Sequence, residues 1–316
     1  MTDGRSGSPH FRVSRIAPGV WAAIARDGGY GLCNAGIVDL GGTTVVFDSM
    51  LTPTAGMALR LAARRCTGRA PDVVVNSHWH GDHIRGNSGL APAVVVSTRK
   101  TRDLIRTKGV DQWNSDLREM PRALAGLDAP ESTTPVLERA MYRGWFEGTL
   151  RVPRSFRPTP PNVTFDRELT LAGTRQELEV RTFGGGHSPS DVFAFLPERG
   201  IVFLGDLVSV GLHPSTGDGV PARWRSILRR IVGLGVSEAL PGHGPVGSAD
   251  DIRRMERYLF DLDRLARAAL RRGDSEVELR RSPVPTEYRS WRFSAFFLEN
   301  LIHSFRLAGG RATSPG

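Results

Sequence analysis

Short apolar or β-branched runs alternate with turns along the first hundred residues. Val20–Ala25, Ala35–Leu40 and Thr43–Asp48 read as strands, with the Gly28-Gly29 and Gly41-Gly42 turns between them. Pro53–Cys66 instead spaces Met57, Leu59, Leu61 and Ala62 as a helix does, and Gly68 follows as its stop. Asp72–Asn76 reads as a buried strand and Ala93–Ser97 as another, with a histidine-rich segment between them. From about Arg99 to Leu150 the period becomes helical and less regular, with breaks expected at Pro121, Pro130 and Pro135. The four prolines of Pro153–Pro161 mark a crossing loop between two halves.

Strands return at Glu177–Phe183, Val192–Leu196, Ile201–Gly205 and Ser237–Leu240. A helix at about Pro221–Leu234 puts Trp224, Ile227, Leu228 and Ile231 on one face. Ser248-Ala249-Asp250-Asp251 resembles a capping box with Asp in the usual Glu position. The helix it opens carries Ile252, Met255, Leu259, Leu262, Leu265 and Ala269, and Gly273 ends it. A final helix is expected over Thr286–Leu307, aromatic on more than one face. Packing onto the body, a homodimer interface or a lid would each use such a helix. The tail Gly309–Gly316 is expected to fray.

Composition narrows the class. With 316 residues, 40% apolar and 24% charged, the chain can bury a large core, and disorder as its main state is excluded. No stretch approaches the roughly 18 apolar residues of a membrane helix, and residues 1–9 have no secretory apolar region. Cys33 and Cys66 form no C-x-x-C pair, so a disulfide framework and a thiolate zinc site are excluded; both suit a reduced, cytoplasmic protein. The +9 charge comes from 42 basic against 33 acidic residues, but lysine occurs only at positions 100 and 108. The arginines are scattered in pairs such as Arg64-Arg65 and Arg271-Arg272, which favours a solvated surface over a nucleic-acid footprint.

The chemistry concentrates in His78-Trp79-His80-Gly81-Asp82-His83, directly after a strand. Residues two apart in an extended segment point the same way, so His78 and His80 can grip one ion. If a helix starts at Gly81, Asp82 and His83 swing to the other side and can hold a second. Imidazole and carboxylate suit zinc, with iron and manganese as alternatives.

This segment resembles the H-x-H-x-D-H hallmark of the metallo-β-lactamase superfamily. Further elements follow in the family's order over about residues 12–250. Gly184-Gly185-Gly186-His187-Ser188-Pro189 looks like its G-H-[ST]-x-G element, departing from it at Ser190-Asp191. Gly205-Asp206 and Pro241-Gly242-His243-Gly244 look like its later ligand turns. The resemblance implies that His78, His80 and His187 hold one metal, that Asp82, His83 and His243 hold the other, and that Asp206 bridges. All of these positions fall at or just beyond predicted strand ends, where open sheets place ligands. The implied fold is a four-layer αββα sandwich of two mixed β-sheets flanked by helices. Residues 1–11 would be a flexible N-terminus and 273–316 a C-terminal helical extension. The domain itself would span 12–272, in halves of about 12–160 and 161–272.

The implied function is binuclear zinc hydrolysis, in which metal-bound hydroxide attacks the carbonyl of a small-molecule thioester, ester or lactone. Asp82 would orient the hydroxide and relay its proton. Asp48 would support the histidine loop from behind. Tyr30, in the loop Arg26–Gly31, together with Trp79 and His213, would wall the substrate site. Gly205-Asp206 looks closer to the glyoxalase II and lactonase branches than to the β-lactamases with cysteine at that site, and a true β-lactamase would carry an export signal. Phosphodiester hydrolysis would give the basic surface a purpose, but no basic arm or inserted nuclease domain is evident. A mononuclear-iron persulfide dioxygenase is disfavoured because all seven ligand positions are filled.

Overall fold

In the computed structural model, which describes residues 8–310, the apolar runs pair into two sheets. Among the described residues the first sheet has seven strands, in chain order: β1 (Phe11–Ala17), β2 (Val20–Ala25), β3 (Ala35–Asp39), β4 (Thr44–Phe47), β5 (Val73–Val75), β6 (Val94–Thr98) and β7 (Val163–Phe165). β1 to β4 pair antiparallel and β4 to β7 parallel, so the sheet is mixed. The second sheet orders β12-β11-β10-β9-β8, from β8 (Glu168–Ala172), β9 (Glu177–Gly184), β10 (Asp191–Leu196), β11 (Ile201–Ser209) and β12 (Glu238–His243). Only its β11–β12 pair is parallel.

The helices are α1 (Pro53–Thr67), α2 (Gly81–Ile84), α3 (Arg99–Leu104), α4 (Val110–Asp128), α5 (Val136–Arg151), α6 (Pro221–Val232), α7 (Ala249–Arg272), α8 (Glu276–Leu279) and α9 (Ala295–Leu307). Their ends follow local chemistry. The Thr52 hydroxyl accepts from the Ala55 amide to start α1, and Ser248 with Asp251 forms a complete capping box on α7.

Three apolar layers hold these elements together. Val38, Val45, Phe47, Val75, Val192 and Phe203 interdigitate between the sheets. The outer face of the first sheet packs Ile37, Val46 and Val74 on Ala55, Leu59 and Ala62 of α1. The outer face of the second packs Phe193, Val202 and Leu204 on α6, α7 and α9 through Trp224, Leu259 and Leu301. The result is the αββα sandwich. No helix among the described residues is long and apolar enough to cross a membrane.

The structure differs from the sequence expectation in several places. Phe11 is fully buried and opens β1, so the chain is already ordered within the segment expected to be flexible; residues 1–7 lie outside the description. The expected fraying likewise falls largely on residues 311–316, outside the described residues. Pro121 does not break its helix but lies inside α4. Before α4, a π-turn at Ile105–Gly109 joins it to α3. β7 and β8 are additional strands after the proline-rich loop.

The helix expected over Thr286–Leu307 is interrupted. A 3-10 turn at Thr286–Tyr288 is followed by irregular chain up to Ser294, and α9 begins at Ala295. The cause lies in α5. Buried Glu138 accepts a 2.6 Å hydrogen bond from the Phe293 amide and holds that residue at φ 59°, outside helical geometry. Phe297, Leu301, Ile302 and Phe305 of α9 are buried against the body of the chain itself.

Gly36 on β3 tests the inter-sheet packing, because a Cβ there would collide with the Phe203 ring of β11. Gly36→Ala is expected to lower stability by about 1–3 kcal/mol in urea unfolding. A loss below about 0.5 kcal/mol would mean the sheets are not packed this closely.

Candidate metal centre

Both sheets deliver polar side chains to one edge of the sandwich. After β5 the chain bends through Ser77, His78 and Trp79 rather than running on extended. His80 is extended, α2 starts at Gly81, and Asp82 and His83 fall in a different ligand group from His78 and His80, as the sequence pattern suggested. From the second sheet come His187 in the loop after β9, Asp206 within β11, and His243 at the last position of β12. Asp206 therefore lies inside its strand instead of after it. The β11–β12 register shifts around Gly205, which adopts φ +51° and leaves room for Ser77.

The side chains form two adjoining groups. His78, His80, His187 and Asp206 make one, and Asp82, His83 and His243 the other; within each group the donor atoms lie within 4.8 Å of one another. Asp206 faces both. Its Oδ2 is 3.5 Å from His187 Nε2 and 4.0 Å from His78 Nε2, while its Oδ1 is 3.1 Å from His83 Nε2 and 3.3 Å from His243 Nε2. Asp82 Oδ2 lies 3.3 Å from His243 Nε2 and 3.5 Å from His83 Nε2. Gly242 makes the approach possible, since a Cβ there would strike Asp206 Oδ1.

The imidazoles are aimed from behind. Asp48 Oδ2 sits 2.7 Å from His83 Nδ1, which leaves Nε2 for the centre. Asp48 also accepts from the Ser77 amide at 2.7 Å and from its hydroxyl at 2.8 Å, and that hydroxyl is 2.9 Å from His78 Nδ1. The Leu32 carbonyl accepts from His243 Nδ1 at 3.2 Å. His80 is turned the other way, with Nδ1 3.1 Å from His187 Nε2 and Nε2 3.7 Å from Asp218 Oδ2. Asp191 ties the His187 turn by accepting from the Gly186 and Ser188 amides, which is where the sequence departs from the family element.

The electrostatics match a cation site. Burial alone would raise the Asp82 carboxyl, but His83 and His243 outweigh it and hold it at about 2. Asp206 is likewise held well below the carboxylate range against its burial by His243 and His83. His243 is lifted to about 10, because Asp206 and Asp82 overcome its desolvation. Burial pushes His187 down to about 3 and His78 well below its ordinary value, so both are neutral donors. His78 Nε2, His83 Nε2 and Asp206 Oδ1 are buried without a hydrogen-bond partner. Orphaned imidazole nitrogens and a carboxylate oxygen converging in this way fit a divalent ion, with the N/O donor set that suits zinc.

A cavity of about 310 Å³ opens on the centre. Leu32, Trp145, Leu212, Phe293 and Phe296 give it apolar walls, and His80, Asp82, His187, Asp206 and His243 reach its surface. His213 lines it too, buried and held neutral at about 4 by that burial, with Nδ1 3.0 Å from the Tyr258 hydroxyl.

Two of the residues expected as walls are elsewhere. Tyr30 packs on Gly148 of α5 with Arg151 over its ring, because the small residues of α5 draw the 26–31 loop onto that helix; Leu32 faces the cavity instead. Trp79 is buried with Ile84 and Ile105, and its Nε1 donates to Asp218 at 2.8 Å. Asp218, Trp145 and Phe293 were not identified as site residues from the sequence. Asp218 and Trp145 carry no local signal, whereas Phe293 lies in the aromatic stretch already noted.

The sequence profile described as Metallo-beta-lactamase superfamily matches residues 28–243. No curated protein matches the sequence. Among solved structures, a metallo-beta-lactamase from Pontibacter korlensis is similar at 20% identity and TM-score 0.58, covering 79% of this chain and 98% of its own. The DIM-1 metallo-beta-lactamase is similar at 18% identity and TM-score 0.58, covering 80% and 98%. TMB-1, at 16% identity, has the same TM-score and coverage as DIM-1. At these identities the likeness is one of fold.

Asp48→Asn tests the supporting network. It is expected to weaken the binding of a divalent cation about 10–100-fold in competition with a chromogenic chelator. Unchanged affinity would show that Asp48 does not orient His83.

Proposed function

Because the chain belongs to the metallo-β-lactamase superfamily, we propose that it is a hydrolase using two divalent cations, with zinc favoured by the donor set. Most members of the superfamily are metal-dependent hydrolases and some are non-hydrolytic. One observation carries the hydrolytic reading: Asp206 presents one carboxylate oxygen to each of two adjoining ligand groups. Paired ions at such a centre supply Lewis acidity and a water acidified enough to attack near neutral pH. The remaining work falls to the chain. Asp82 Oδ2, held ionised at the cavity surface, is placed to accept the proton of the attacking water. The apolar walls are placed to hold an apolar group against the centre.

The cavity supports a reading of the substrate class. Its small, apolar enclosure suits the acyl part of a thioester, ester or lactone better than a nucleic-acid strand, which calls for an open basic groove. No serine or cysteine nucleophile is needed.

Metal analysis of the purified protein should return two zinc ions per chain, and either His80→Ala or Asp206→Ala should abolish turnover. The zinc-loaded protein should cleave a thioester or lactone in preference to a chromogenic β-lactam or a bis-aryl phosphodiester. One iron per chain without zinc, or cleavage of the phosphodiester alone, would overturn this reading.

A further inference from the structure

The metal cavity has a neighbour. A second cavity of about 630 Å³ lies beside it, and Leu32 and His243 border both. Their characters are opposite. The first is walled by aromatic and aliphatic side chains, whereas Arg12, Arg26 and Arg292 line the second with a single acid, Asp27. Arg292 Nη1 already holds Asp27 Oδ2 at 2.7 Å. Among the described residues, Arg12 and Arg26 have no ion-pair partner. What distinguishes them is their place: they line one cavity together with Arg292, beside the metal centre.

The partition between the cavities is built, not incidental. Arg292 lines the basic cavity and the next residue, Phe293, lines the apolar one. Backbone bonds fix this divide: the Arg292 amide donates to the Gly211 carbonyl at 3.0 Å, and the His213 amide donates to the Arg292 carbonyl at 2.9 Å. Phe293 is kept in the left-handed region by Glu138, and Leu32, on the shared border, also has positive φ at 61°. Non-glycine residues hold such conformations only where their surroundings impose them. Met141 completes the wall, lining the basic cavity while packing on Leu212 and Phe293 of the other.

We infer that the substrate is two-sided: an apolar acyl group seated in the cavity of Trp145, Phe293 and Phe296, joined through an ester or thioester to an alcohol or thiol bearing a carboxylate or phosphate, which Arg12, Arg26 and Arg292 receive. This rests on the hydrolase reading above and adds which side of the bond lies where. The junction at Leu32 and His243 puts the scissile carbonyl beside the ligand groups. In the reaction water adds to the acyl carbon, the C–O or C–S bond breaks with its electron pair on the leaving atom, and a proton from the water neutralises that atom. The products are an apolar carboxylic acid and an anionic alcohol or thiol. Guanidinium groups suit both oxyanions through bidentate bonds.

The test uses 3-phenylpropanoyl thioesters of three thiols: neutral 2-mercaptoethanol, 3-mercaptopropionate and 2-mercaptoethyl phosphate. The zinc-loaded protein should show kcat/KM about tenfold or more higher for at least one anionic thioester than for the neutral one, and the better of the two identifies the anion. The double variant Arg12→Gln/Arg26→Gln should lose this preference through KM, while Arg253→Gln, on the exposed face of α7, should keep it. Matched thioethers, which cannot be hydrolysed, are titrated calorimetrically into the same proteins and should show the same pattern in affinity. Equal preference in the native protein, a preference surviving in the double variant, or its loss in Arg253→Gln would each overturn the inference. Selective binding of anionic thioethers with no turnover of any thioester would instead leave the basic subsite standing and refute the hydrolase reading.

Discussion

Asp206 stands with His78 and His187 on one side and His83 and His243 on the other, and a carboxylate with a buried Oδ1 is tolerable there because imidazole nitrogens meet it in both directions. Unpaired, such a charge would cost on the order of several kcal/mol. The same crowding makes the histidines unequal. Those beside both acids, such as His243, are drawn to hold a proton, and buried His78 and His187 are driven to give theirs up. The centre is therefore polarised by its own ligands, with neutral nitrogen donors on one side of Asp206 and the second carboxylate, Asp82, on the other.

This arrangement imposes demands on the backbone. The two sheets must bring their ligand-bearing ends within a few ångströms, which leaves no space for a side chain at Gly242 and forces left-handed backbone at Gly205. Asp48 is itself at φ 61°, an unfavourable conformation for a residue other than glycine. Three contacts stabilise it there: the Ser77 amide, the Ser77 hydroxyl and His83 Nδ1. Strain at Asp48 is thus the counterpart of order at His78 and His83, whose ring orientations depend on where that carboxylate lies.

What could be read from the sequence follows the range of the interactions involved. The segment His78–His83 was legible because its ligand residue types and spacing, with a helical turn opening at Gly81, are local to six positions, although the rings are then oriented by Asp48 from outside it. The capping box at Ser248 and the buried faces of α6 and α7 are equally local. β1 was missed because Arg12, Ser14 and Arg15 interrupt its apolar positions, as an edge strand permits. The broken final helix could not be foreseen, since the carboxylate that captures the Phe293 amide is 155 residues away on α5. Asp218 is similar: an unremarkable loop acid acquires its place from Trp79 Nε1, Lys108 Nζ and His80, none of them near it in sequence.

The walls of the cavity and the ligands of the centre belong to mechanically separate systems. The ligands hang from the end of β12, the body of β11, the turns after β5 and β9 and a short helix, beside strands fastened into the inter-sheet core. Most of the walls come from α5, the loop after β11 and the chain before α9, joined to one another by Glu138 and by the backbone bonds at Arg292. Substitutions in the second system can reshape what the cavity admits while the first stays in place, which is how one centre can serve many substrates on one fold. Leu32 is where the systems touch: its side chain borders both cavities, and its carbonyl fixes the ring of His243. A change of backbone at Leu32 therefore reaches substrate and metal ligand together, and its left-handed conformation is the point at which recognition and the centre are geometrically coupled.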